Sequence, residues 1–71
     1  MATEVRAEMV ANVLQIVVAP AELVAAGDTL LLLESMKMEI PVLAEAGGTV
    51  AEIRVTEGDV VQEGDVLVVL G

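Results

Sequence analysis

The chain has no cysteine, histidine, phenylalanine, tyrosine or tryptophan, and only one lysine, among its 71 residues. Without cysteine there is no disulfide staple and no thiol chemistry, which suits a cytosolic protein. The usual catalytic bases and nucleophiles are missing as well. Ser35 has no general-base partner in view and the carboxylates are scattered without obvious pairing, so neither an active site nor a metal centre is supported. Without aromatics, the core must come from Val, Leu, Ile, Met and Ala, in a chain that is 56% hydrophobic with a mean hydropathy of +0.81.

Long apolar runs are also lacking. Stretches such as Val13 to Ala21, with Gln15 inside, stop short of the ~18 residues of a membrane span. The N-terminus shows no basic region leading into an apolar one, so Met1 reads as a true start and the expected location is cytoplasmic, without membrane contact. The formal net charge of −9, twelve acids against Arg6, Lys37 and Arg54, repels phosphate backbones and anionic membranes. Nucleic acid is therefore not an expected partner, and the acid reads first as a solubilising coat for a small hydrophobic domain. At this length, residues 1–71 form one domain, near the size at which a core barely offsets chain entropy.

Residues 12–33 lie on residues 49–70 without a gap, at a constant offset of 37. Eight of the 22 pairs are identical, among them Val13/Val50, Ile16/Ile53, Gly27/Gly64, Asp28/Asp65 and Leu33/Leu70. Paired Gly-Asp turns followed by apolar runs mark two copies of one unit. Within each copy, alternating β-branched residues broken by Gly and Asp predict strands and turns. Strict alternation puts Thr49, Ala51, Ile53 and Val55 on one face and Val50, Glu52 and Arg54 on the other. In the first copy Leu14, Ile16 and Val18 alternate likewise with Val13, Gln15 and Val17. Short strands Leu23-Val24 and Val60-Val61 follow, then final strands Leu30 to Leu33 and Val66 to Leu70. Gly27, Gly58 and Gly64 are expected at positive φ, and Asp28, Asp59 and Asp65 as turn formers bonding nearby amides. Two β units of this size each bury one face, so they are expected to pack across a pseudo-two-fold axis as an all-β flattened barrel or sandwich.

Between the copies lies residues 34–42, Glu34-Ser35-Met36-Lys37-Met38-Glu39-Ile40-Pro41-Val42, a segment without a counterpart in the repeat. A hairpin with Met36-Lys37 as its two-residue loop pairs Ser35 with Met38, Glu34 with Glu39 and Leu33 with Ile40, and sets Lys37 at the tip. Two features are costly. Two-residue loops usually demand positive φ, yet neither loop residue is Gly or Asn, and Glu34 faces Glu39 across the strand pair. Cost without structural return points to a functional constraint. An ordinary solvated turn lysine with capping methionines is the plain alternative.

The segment Glu34-Ser35-Met36-Lys37-Met38 resembles the attachment motif of the biotinyl domains of biotin-dependent carboxylases, in which a lysine stands between two methionines after an acid and a small residue. The resemblance covers essentially the whole chain, through Gly48-Thr49-Val50, Val55-Thr56-Glu57-Gly58-Asp59 and Val61-Gln62-Glu63-Gly64-Asp65. It implies a barrel-sandwich hybrid of two four-stranded antiparallel sheets, with biotin in amide linkage to Lys37. It further implies that Met36 and Met38 are read by a biotin protein ligase, with Glu34, Ser35 and Glu39 as flanking motif. The domain would be a non-catalytic substrate of that ligase, carrying carboxylate between biotin carboxylase and carboxyltransferase subunits. An ordinary amine is almost wholly protonated at neutral pH, so such a lysine needs a preactivated acyl donor.

The first copy departs from the family pattern. Ala11 and Ala21 stand for glycines, Glu22 for Asp and Val10 for Pro, so the turn around Pro20 is expected to differ in shape, with Pro20 fixing one φ. The ungapped match of Val18 to Leu23 with Val55 to Val60 leaves no room for the protruding loop of some bacterial carrier domains. The alternatives are a lipoyl carrier, against which Met36 and Met38 argue, and an unmodified adaptor that keeps the fold.

Overall fold

The computed structural model describes residues 2–71; Met1, read above as the start, lies outside them. The Val- and Leu-rich runs form eight strands: β1 Thr3–Arg6, β2 Ala11–Ile16, β3 Leu23–Val24, β4 Thr29–Ser35, β5 Met38–Leu43, β6 Gly48–Ile53, β7 Val60–Val61 and β8 Val66–Leu70. All pairings are antiparallel, and the strands make two four-stranded sheets, ordered β1-β8-β6-β3 and β5-β4-β2-β7. A shift of 37 residues carries β5 onto β1 and converts one order into the other. The equivalence thus reaches beyond residues 12–33 and 49–70, and the segment 34–42, read as having no counterpart, supplies a strand equivalent to β1.

The expected faces of β2 and β6 need correcting. An extra residue, Leu14, sits between the Val13 and Gln15 pairings of β2 with β4, and Ala51 does the same in β6 against β8. A bulge of this kind moves every later side chain to the opposite face. Val13 therefore shares the interior with Ile16 and Val18, and Val50 with Ile53 and Val55, while Leu14, Gln15 and Val17 turn outward with Thr49, Ala51, Glu52 and Arg54. A second symmetric pair of bulges, at Leu30 in β4 and Leu67 in β8, sends both of those leucines to full burial beside Leu31 and Val68. Among the described residues no polar side chain is buried. The barrel is not closed: the sheets part between edge strands β1 and β5, leaving a groove of ≈ 600 Å³ lined in part by Val5, Leu33, Ile40, Val42 and Leu70. Pro41 is tolerated in β5 because that strand is an edge.

Four turns lock the copies together. In residues 25–28, 56–59 and 62–65 the aspartate carboxylate accepts the first residue's N–H at 2.8 to 2.9 Å. Its own N–H donates to the first residue's carbonyl at 3.0 Å. The third residue is Gly27, Gly58 or Gly64, at φ of 92°, 95° and 91°. Each sends its N–H across to the other copy, to Ala44, Val13 and Ala7 respectively, at 2.8 Å. The turn at residues 19–22 was expected to differ, yet it keeps every one of these bonds. Glu22 accepts from Ala19 at 3.0 Å, and Ala21, at φ 72°, donates to Val50 at 2.7 Å. Pro20 sets φ at the preceding corner and the glutamate's extra methylene still reaches the amide, so only the backbone cost of Ala21 remains.

Candidate functional site: the lysine hairpin

Strands β4 and β5 bring the attachment segment together in the register expected from the sequence, with Leu33 opposite Ile40, Glu34 opposite Glu39 and Ser35 opposite Met38. Buried Leu33 and half-buried Ile40 anchor the base of the hairpin to the core. That burial fixes the register, because a slip of one residue would expose Leu33 and bury Glu34.

The tip is Met36-Lys37, at φ 53° and 64°. Both lie in the left-handed region that a tight two-residue hairpin loop requires, which costs about 1 kcal/mol per non-glycine residue. The methionines do not cap the barrel. Met36 is 92% exposed and Met38 62%, so two large apolar side chains flank the lysine in solvent instead of repaying the strain by burial. Lys37 is exposed, and among the described residues it makes no ion pair, since the salt bridges are Arg6 with Glu4 and Arg54 with Glu52. Its amine is presented outward on a short rigid stem.

Glu34 is half-buried and Glu39 exposed, and their direct pairing sets two negative charges side by side below the tip. Continuing across the sheet, Glu34 pairs with Asn12 and Asn12 with Val60. Val60, 61% exposed, therefore stands with Asn12 in the row of side chains beneath the hairpin. Neither had been singled out from the sequence. Their only signal there was the strand pairing, which becomes readable once β7 is placed beside β2. Among the described residues no three acidic side chains gather as a metal site.

A family model described as biotin-requiring enzyme, covering biotin and lipoyl attachment, matches residues 2–70. The chain belongs to this biotin/lipoyl family. A biotinylated protein TB7.3 homolog of Mycobacterium leprae is 54% identical over 70 residues, 99% of each chain. The biotin/lipoyl attachment protein of Bacillus subtilis is 43% identical over 63 residues, 89% of this chain and 86% of that one. In structure, a region of the Kluyveromyces lactis urea carboxylase superposes on 100% of this chain with a TM-score of 0.94 and 32% identity, while amounting to 6% of that enzyme. The biotin/lipoyl family thus contains both chains of this size and domains inside far larger enzymes, and the hairpin described here is built on the fold they share.

Proposed function

We propose that this chain is a biotin carrier whose biotin is joined by an amide to Nζ of Lys37. The observation that carries the reading is an exposed, unpaired lysine at a strained loop between two exposed methionines, within a fold whose relatives are named for biotin. An acyl group of that size needs an amine clear of the barrel and a stem that holds it there, and β4 and β5 supply both. Lys37, once deprotonated, attacks the acyl carbon of biotinyl-adenylate brought by a biotin protein ligase. The amide C–N bond forms, the acyl–phosphate bond breaks, AMP leaves and the amine proton passes to solvent. Met36 and Met38 give the ligase apolar handles on either side of the amine, and the domain itself is a non-catalytic substrate.

When bound, the biotin ring carries carboxylate between a biotin carboxylase site and a carboxyltransferase site. The protein's part is to tether it, which raises its effective concentration at each. A lipoyl carrier would share the fold, but the flanking methionines favour biotin. The setting expected for this exchange is the cytoplasm; among the described residues no helix is long and apolar enough to cross a membrane.

The test is intact mass with peptide mapping and a streptavidin blot, on the chain and on Lys37→Arg, each incubated with ligase, ATP and biotin. The expected result is a single biotinyl adduct on Lys37, absent from a fully folded variant. Labelling retained in Lys37→Arg, or none in the parent chain, would overturn the assignment.

A further inference from the structure

The two-fold symmetry allows each outer sheet face to be compared with its counterpart, and they are not alike. On the β1-β8-β6 face, Glu4, Arg6, Glu52 and Arg54 form two exposed ion pairs around nearly buried Val69. The hydrogen bond to Glu52, and then its charge, hold the Arg54 guanidinium above its ordinary pKa. Shifted by 37, the same four positions on the β5-β4-β2 face are Pro41, Leu43, Gln15 and Val17, with half-buried Leu32 where Val69 stands. Leu43 is 47% exposed, Val17 48%, and the bulge residue Leu14 beside them 41%. The ion-paired face shows that the fold tolerates charge at these positions. The apolar side chains of the second face are therefore not required by the barrel.

That second face belongs to the sheet whose β4-β5 hairpin carries Lys37, and its charged margin on the hairpin side is Glu34 and Glu39. Of the chain's three cations, two sit on the opposite face and the third is Lys37 itself. A second copy would bring the same acids together, in a chain of net charge −9, and five side chains fall short of the roughly 800 Å² per partner of a stable interface. A group on Lys37 must also enter a partner's site, so a partner that handles it repeatedly has to hold the domain from the side and leave the tip free.

Resting on the carrier reading above, we infer that the face formed by Leu14, Val17, Leu32, Pro41 and Leu43 is the transient docking surface for the biotin carboxylase. The carboxylase surface it fits is apolar at its centre and basic along the margin that meets Glu34 and Glu39. The ligase, which reads the hairpin tip, does not use this face.

The experiment follows transfer of labelled bicarbonate, with ATP, to the biotinylated chain by a biotin carboxylase freed of its own carrier domain. The parent is compared with Val17→Ser/Leu43→Ser and with the opposite-face variant Arg6→Ser/Arg54→Ser. All substituted positions are exposed, and thermal melts check that each variant folds. The expected result is a five-fold or greater fall in kcat/KM for the first variant alone, with an unchanged rate of biotinylation by the ligase and a parent rate that falls as salt is raised. Equal kcat/KM for all three chains, or an equal fall in biotinylation, would overturn the docking surface and leave the carrier reading standing. A dimer seen in sedimentation that the first variant dissolves would overturn it in favour of a second copy. A parent chain that accepts no biotin would overturn the carrier reading, and this inference with it.

Discussion

Gly27, Gly58 and Gly64 take φ values of 91° to 95° in the turns that join the two copies, whereas Met36 and Lys37 take 53° and 64° at the hairpin tip. The backbone demand is of the same kind in both regions, and the residues chosen are opposite. In the turns, nothing lies within 4 Å of where a Cβ would sit on any of the three glycines, so glycine is there for its backbone freedom. At the tip the side chains are kept at a backbone cost, because there the side chains are what the loop exists to present. Ala21, at φ 72°, falls between: it occupies a turn of the first kind with a residue that contributes neither freedom nor chemistry.

The largest effect should come from turning the tip into a turn of the first kind. Met36→Asn with Lys37→Gly supplies the residues a two-residue loop prefers. It is expected to stabilise the chain by about 1–2 kcal/mol while abolishing biotinylation, as read by chemical denaturation and streptavidin blot. A loss of stability would mean that the tip is not strained. Next, Gly58→Val adds a β-branched side chain at positive φ and should destabilise by about 1–3 kcal/mol, although no neighbour blocks the space. Its symmetry mate Ala21→Gly should move the other way, gaining about 1 kcal/mol. If both changes destabilise, the two turns are not equivalent. A smaller loss, about 0.5–1.5 kcal/mol, is expected for Glu57→Ala. That carboxylate accepts from the Ile16 amide at 2.9 Å, a bond whose mirror image is impossible because the equivalent residue is Pro20.

How far these regions could be read beforehand follows the same division. The hairpin was legible down to its register because Leu33 and Ile40 are apolar, Glu34 and Glu39 are not, and a tip of two residues leaves one pairing that satisfies both. The three glycine turns were legible because Gly-Asp states both the φ and the hydrogen bond. The turn around Pro20 was misjudged, since Ala21 and Glu22 satisfy the same geometry without its usual residues. The faces of β2 and β6 were misread because a bulge leaves no mark in an apolar, β-branched run: Leu14 and Ala51 are as suitable for an interior as Val13 and Val50. Strand β1 was not placed, because Val5 is its one apolar residue turned toward the core: Thr3, opposite Leu70 on the same face, is polar and exposed, while Glu4 and Arg6 face outward. The attachment site is thus written in local sequence, while the outer face proposed to dock a partner became visible only when the bulges had been placed.

The order of strands in each sheet also bears on the timing of synthesis. β8 lies between β1 and β6, and β7 completes the sheet that holds β4 and β5, while the N–H groups of Ala21 and Gly27 are satisfied by Val50 and Ala44. An emerging chain can pair β4 with β5 early, since they are adjacent in sequence, but that hairpin has no floor to stand on until the final strand has left the ribosome. Non-local pairing of this kind is slow to form. A ligase that requires the hairpin held rigid would thus label a domain whose eight strands have paired and pass over one still lacking β8, and the fold itself would act as the inspection step before the cofactor is committed.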